Sequence, residues 1–233
     1  MTTRTEIRLP QAWLAALRRV NVKPLSLLRF FLLGWEQPHV QHDVAELASL
    51  LLRQLSWLPC VVSWSRRLQV ERGLQNLQAM QDSRIWHLDP SGGLQSNVLQ
   101  DAVNSWHGRI AVQALHSPAD TLWVQLPRFV HEGTDVRKVA QTLRLDSSHR
   151  HFRVPVFRSS DSVEISWHEY CVSAAIYHLG QTVHAGHYRA ILFHPQVEGG
   201  WHTEDERPAV WCDTVPTAAE DNCYLLCATR SNT

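Results

Sequence analysis

Two residues near the end of the chain, His187 and Asp205, have the types and spacing of a general base and the carboxylate that orients it. In HYRAILFH the apolar residues alternate. His187, Arg189, Ile191 and Phe193 share one face, and Tyr188, Ala190, Leu192 and His194 the other, which predicts a strand. Pro195 and the pair Gly199-Gly200 supply a turn, and the chain returning through Trp201 is expected to bring Asp205 near His187. A carboxylate that accepts an imidazole N–H fixes the tautomer and stabilises the imidazolium, as a base serving a thiol or hydroxyl nucleophile requires. Gly186, just before the histidine, leaves room for another backbone to approach. Because the chain holds 14 histidines, a solvated imidazole beside a chance acid stays open as the alternative.

The elements that must position this pair read as helical first and sheet later. PQAWLAALRRV and PLSLLRFFLLG each begin with a proline suited to a first helical turn. From Gln41 to Leu55, Val44, Leu47, Leu51 and Leu55 form an apolar stripe, and Asp43 stands where a negative charge suits the helix dipole. Residues 63–81 read as a further helix with a loose set of Leu68, Leu74, Leu77 and Met80, and SRIWHL as a short strand before a PSGG turn. SNVLQDAVNSWHG reads as a helix with Val98, Ala102, Val103 and Trp106 on one face, ended by Gly108. From Leu122 onward strands dominate: LWVQLPRFV, VRKVAQTLRL, VEISWHEYCVSAAIYHL, HYRAILFH, PAVWCDTV and CYLLCATR. The expectation is one α+β domain over residues 1–233, mainly helical over 1–110 and β-rich, as an antiparallel sheet, over 111–233.

Composition narrows the function classes. Twenty-two basic and 22 acidic residues balance, so no global field favours phosphate backbones or anionic membranes, and neither a nucleic-acid nor a membrane partner is expected. The apolar run LSLLRFFLLGW is broken by Arg29, too short to span a bilayer, and not followed by a signal-peptide cleavage site. Five cysteines without paired spacing fit a reducing compartment, cytoplasmic or nuclear. No metal site is expected. CxxC pairs are absent, His184 and His187 point to opposite faces of a strand, and His149 and His151 lie in SSHRHF, which reads as a loop without a third ligand. No cofactor is expected either. The ten tryptophans are assigned to packing and interface surface.

Three ordered blocks resemble the ubiquitin-specific proteases, the papain-like deubiquitinases. GHYRA with WHTEDE is similar to the family's histidine box, with Gly186, His187, Tyr188, Trp201 and Asp205 at its positions. QHDVAELASLLLRQL is similar to the glutamine box, and TLWVQLPRFVHEGTDVRKV to the core hairpin, where Arg128, Phe129 and Lys138 hold the family's places. The resemblance implies a papain-like cysteine protease fold, here incomplete at the N-terminus, and a reaction in which a thiol hydrolyses the bond after the C-terminal glycine of ubiquitin. It further implies that His187 is the general base, that Asp205 orients it, and that Asp43, Gln41, Gly186 and Tyr188 take the glycine-rich tail. Glu46 is a weaker candidate, and Glu206 reads as a solvated or structural carboxylate.

The family's cysteine box, which precedes the glutamine box, has no counterpart before Gln41. The first cysteine, Cys60, lies in apolar SWLPCVVSW, which would raise a thiol pKa. All five cysteines therefore read as structural. Two readings follow: the later portion of a deubiquitinase whose nucleophile lies outside this sequence, or an inactive ubiquitin-binding pseudoenzyme. Under either, the chain alone is expected to be inactive.

Overall fold

The computed structural model describes residues 43–54, 61–71, 73–88, 97–108, 110–132, 135–139, 141–182, 185–203 and 207–231. The chain parts into two compact units, Met1–Leu58 and Pro59–Thr233.

Helix α1, Val44–Gln54, belongs to the first unit. Asp43 stands just before it and accepts the N–H of Ala45 at 2.6 Å, satisfying one of the donors that a helix start leaves open. The most buried line is Ala45, Ala48 and Leu52, one position round from the expected Val44–Leu47–Leu51 stripe, whose members are half-buried. Leu55 and the two proline-led segments expected to be helical lie outside the described residues.

Among the described residues, the second unit holds a sheet of eleven strands and two short helices. Its main path runs β12, β11, β10, β9, β8, β4, β1, β2. In chain order these are β1 Val62–Val70, β2 Gly73–Ser83, β4 Val112–Leu115, β8 His151–Phe157, β9 Ile165–Thr182, β10 Ala185–Phe193, β11 Gly200–Thr203 and β12 Val210–Cys212. Off this path, β13 Cys223–Arg230 pairs with both β9 and β5 Thr121–Gln125, and β5 pairs with β3 Trp86–His87. Strands β6 Phe129–Glu132 and β7 Asp135–Lys138 form a separate hairpin. The expected antiparallel sheet is in fact mixed, because β3 lies parallel to β5 and β4 parallel to β8. Between β3 and β5 the chain passes through helix α2, Leu99–His107, the kind of crossover that parallel pairing needs.

Helix α2 matches its expected span, with Leu99, Ala102 and Val103 buried and Gly108 closing it through an N–H to the carbonyl of Asn104. The helix expected over 63–81 is instead the hairpin β1–β2. A loose apolar set fits either period, and tertiary partners decided. Val62 joins the core from one face of β1, and Trp64 packs on Trp106, which stands edge-on to Trp86 at 4.8 Å. The other face carries buried Ser65 and Arg67, the latter donating to the carbonyls of Ser159 and Ser162 at 2.8 Å with its guanidinium 3.8 Å over Phe157. A buried arginine so held reads as one more break in a helical pattern.

Two other expectations shift. SSHRHF is a turn only to Arg150, after which His151 opens β8. VRKVAQTLRL is a strand only to Lys138, and Leu143 and Leu145 are buried while their N–H groups go to Glu220 instead of a neighbouring strand. The core lies between α2 and the sheet and includes Leu99, Leu122, Val124, Val154, Ile191 and Leu226. Among the described residues no helix is long and apolar enough to cross a membrane, and no cluster of three His, Cys, Asp or Glu could hold a metal ion.

Candidate active site

Strand β10 carries the expected base. Its alternation is as read: Ile191 and Phe193 enter the core while Leu192 between them is half exposed. His187 stands opposite Leu179 of β9 and is exposed. One step earlier the ladder is broken. Ala185 pairs with Thr182 but His187 with Leu179, so Gly180 and Gln181 of β9 face Gly186 alone. Such bulges bend a strand and re-aim the next side chain. Gly186 sits at φ +155°, and a Cβ there would stand 2.3 Å from the carbonyl oxygen of Leu179, so only glycine fits.

Tyr188, opposite His178, is half-buried and packs into an aromatic group. Its ring lies 4.7 Å from that of His178 and 6.2 Å from that of Tyr224, while Phe129 stands edge-on to His178 at 5.5 Å. His178 is wholly buried and was not among the expected site residues. Strand register could have found it, because setting His187 opposite Leu179 sets 188 beside 178.

The β6–β7 hairpin buttresses this group, with Phe129 opposite Lys138. Lys138 Nζ donates to the carbonyls of His178 and Gly180 and to Asn222 Oδ1, at 2.7–2.8 Å. Arg128 is buried and donates through Nε to the carbonyl of Cys223 at 2.6 Å. Burial lowers the pKa of both cations. For Lys138 the neighbouring Arg128 charge adds to this, and for Arg128 the nearby Cys223 and Asp221 oppose it.

The return strand β11 pairs Ile191 with His202 and Ala190 with Thr203. Thr203 completes the ladder with its side chain, its hydroxyl accepting the N–H of Ala190 at 3.1 Å and lying 3.2 Å from that residue's carbonyl. On the face of Ile191, His202 and Tyr177 stack and hydrogen-bond across β10. Within the described residues the ladder pairing reaches Thr203, two residues before Asp205, and Ala190, three after His187. Asp205, Glu206 and Gln41 lie outside the described residues, as does Cys60. Asp43 belongs to the other compact unit, where its observed role is capping α1, and Glu46 in the first turn of that helix is exposed.

None of the described thiols with a shifted pKa is activated. Cys223 is wholly buried, and burial pushes its thiol up to about 12 against the nearby Arg128 charge. Burial likewise raises Cys171. A nucleophilic thiol needs the reverse shift.

No protein-family model matches the sequence, and no curated protein matches it. Solved structures do match the fold. The SAGA DUB module Ubp8/Sgf11/Sus1/Sgf73 bound to monoubiquitin is similar with a TM-score of 0.64 at 16% identity, covering 84% of this chain and 50% of that chain. The module bound to ubiquitin aldehyde gives 0.64 at 14% identity over the same shares. A further structure of the module gives 0.66 at 16% identity, over 92% of this chain and 54% of that chain. The fold is therefore ubiquitin-specific-protease-like, and the chain spans about half the length of these matched chains.

Proposed function

We propose that this chain is a ubiquitin-specific-protease-like deubiquitinase domain that binds ubiquitin, working in a cytoplasmic or nuclear compartment. The observation that carries the proposal is an exposed histidine set directly after a glycine bulge, in a fold shared with modules solved with ubiquitin or ubiquitin aldehyde bound. In this reading His187 accepts the proton of a cysteine thiol and Asp205 fixes the imidazole tautomer. The thiolate attacks the carbonyl carbon of the last glycine of ubiquitin, the protonated His187 returns the proton to the departing amine, and water then hydrolyses the thioester. Asp43 and Gln41 bond the extended tail, while Gly186 and Tyr188 leave space for nothing bulkier than glycine. The thiol is not assigned to any described cysteine.

The second reading is ubiquitin binding without hydrolysis. Calorimetric titration of ubiquitin into the 233-residue chain tests what both readings share. Binding that weakens at least tenfold in Asp43→Ala is expected, and its absence removes both. A ubiquitin thiol-reactive derivative is expected to leave the chain unlabelled, and labelling at Cys60 would overturn the assignment of all five cysteines as structural.

A further inference from the structure

We propose that His178 is the positioning residue for His187. Its imidazole fills the space that two glycines leave empty and so fixes the bulge from which His187 leaves the ladder. The proposal rests on His187 acting as the base.

The geometry is specific. The ring of His178 comes within 2.7 Å of where a Cβ on Gly186 would stand and within 2.9 Å of one on Gly180. Those glycines lie on opposite sides of the bulge, Gly180 on β9 and Gly186 on β10, next in sequence to His187. The imidazole therefore packs against backbone on both strands at the point where the ladder slips. It is held in turn from the sides, by Phe129 edge-on at 5.5 Å and by Tyr188 tilted at 4.7 Å. Its own backbone is clamped, since Lys138 Nζ takes the carbonyls of His178 and Gly180 at 2.8 Å each. The hairpin β6–β7 thus fixes β9 at residues 178 and 180, and the His178 ring carries that constraint to β10. Without the ring, the two glycines border an empty space, and a glycine-rich bulge is free to relax into it.

The test follows the His187 ring by 1H–13C correlation spectra of the histidine-labelled chain, its signal identified by its loss in His187→Gln. In His178→Ala the His187 signal is expected to shift and broaden, whereas His178→Phe, which refills the space, returns it to its original position. If the alanine variant does not fold, His178→Val replaces it: a side chain that fills the space only in part is expected to displace the His187 signal while distant signals stay, and an unmoved signal would overturn the proposal. A His178→Ala chain that melts earlier with the His187 signal unmoved would show a merely structural role and overturn the proposal. Displacement by His178→Phe as large as that by alanine would overturn it too. Ubiquitin titration of the unaltered chain is read separately, so that loss of the proposed function is not confused with loss of the packing relation.

Discussion

Arg128 Nε lies 2.6 Å from the carbonyl oxygen of Cys223, joining the segment after β5 to the first residue of β13. The same guanidinium donates through Nη1 to the carbonyl of Gln141. One buried side chain therefore holds three stretches of chain around the aromatic group behind His187. Arg128→Met keeps the length of the stem and leaves both carbonyls without these donors. A loss of about 3–5 kcal/mol of stability is expected, read as a lower urea midpoint with an unchanged slope.

Gly186→Ala strains the backbone at φ +155° and drives a methyl to 2.3 Å from the carbonyl of Leu179. The expected cost is about 1–3 kcal/mol in thermal or urea unfolding. An alanine chain as stable as the parent would show that the bulge is not as tight as described.

Alkali is expected to destabilise the fold in two stages. Burial raises Cys223 to about 12, and burial raises Tyr170 to about 12 against the nearby Arg230 charge. Both groups keep their proton longer folded than unfolded, where they titrate at about 8.5 and about 10. Their contribution is thus complete below those values and is lost as pH rises toward 12. Cys223→Ala should make the urea midpoint fall less steeply between about pH 8.5 and pH 10, the remaining slope there coming from Cys171, whose thiol burial also raises, and should leave the decline above pH 10 that Tyr170→Phe reduces.

Acid acts through the turn before β8. Burial works against ionisation of Asp146, but hydrogen bonds from Ser148 and His149 and the charges of His149 and Arg144 outweigh it, holding the carboxyl well below the usual carboxylate range. A depressed folded value means that the contribution is present above the unfolded value of about 3.9 and is lost as pH falls through the folded one. Asp146→Asn should therefore lower stability at neutral pH and flatten its dependence below about pH 4.

The residues differ in how openly they announce themselves. HYRAILF reads as a strand because its alternation is strict and one face is core, and SNVLQDAVNSWHG reads as a helix because its period and its terminal glycine agree. Residues 63–81 mislead because Ser65 and Arg67 are polar yet buried, their surroundings coming from β4 and from the turn at 158–164, which no local window contains. His178 is silent in sequence for the same reason. It is one more histidine, and only the return of β10 brings Gly186 and Tyr188 to it. The sequence places Asp43 where a negative charge suits the helix dipole, and the structure adds the N–H of Ala45 that its carboxylate accepts.

By itself the sequence determined what depends on near neighbours: alternation, helix ends, the glycine before His187, and the order of the three blocks that resemble a deubiquitinase. Tertiary structure alone decided the slip between β9 and β10, the burial of His178 beneath two glycines, and the bracing of both by Lys138. The physical reason is that a bulge and a buried polar group are tolerable only where distant strands supply matching shape and hydrogen bonds, and those partners are set by the fold.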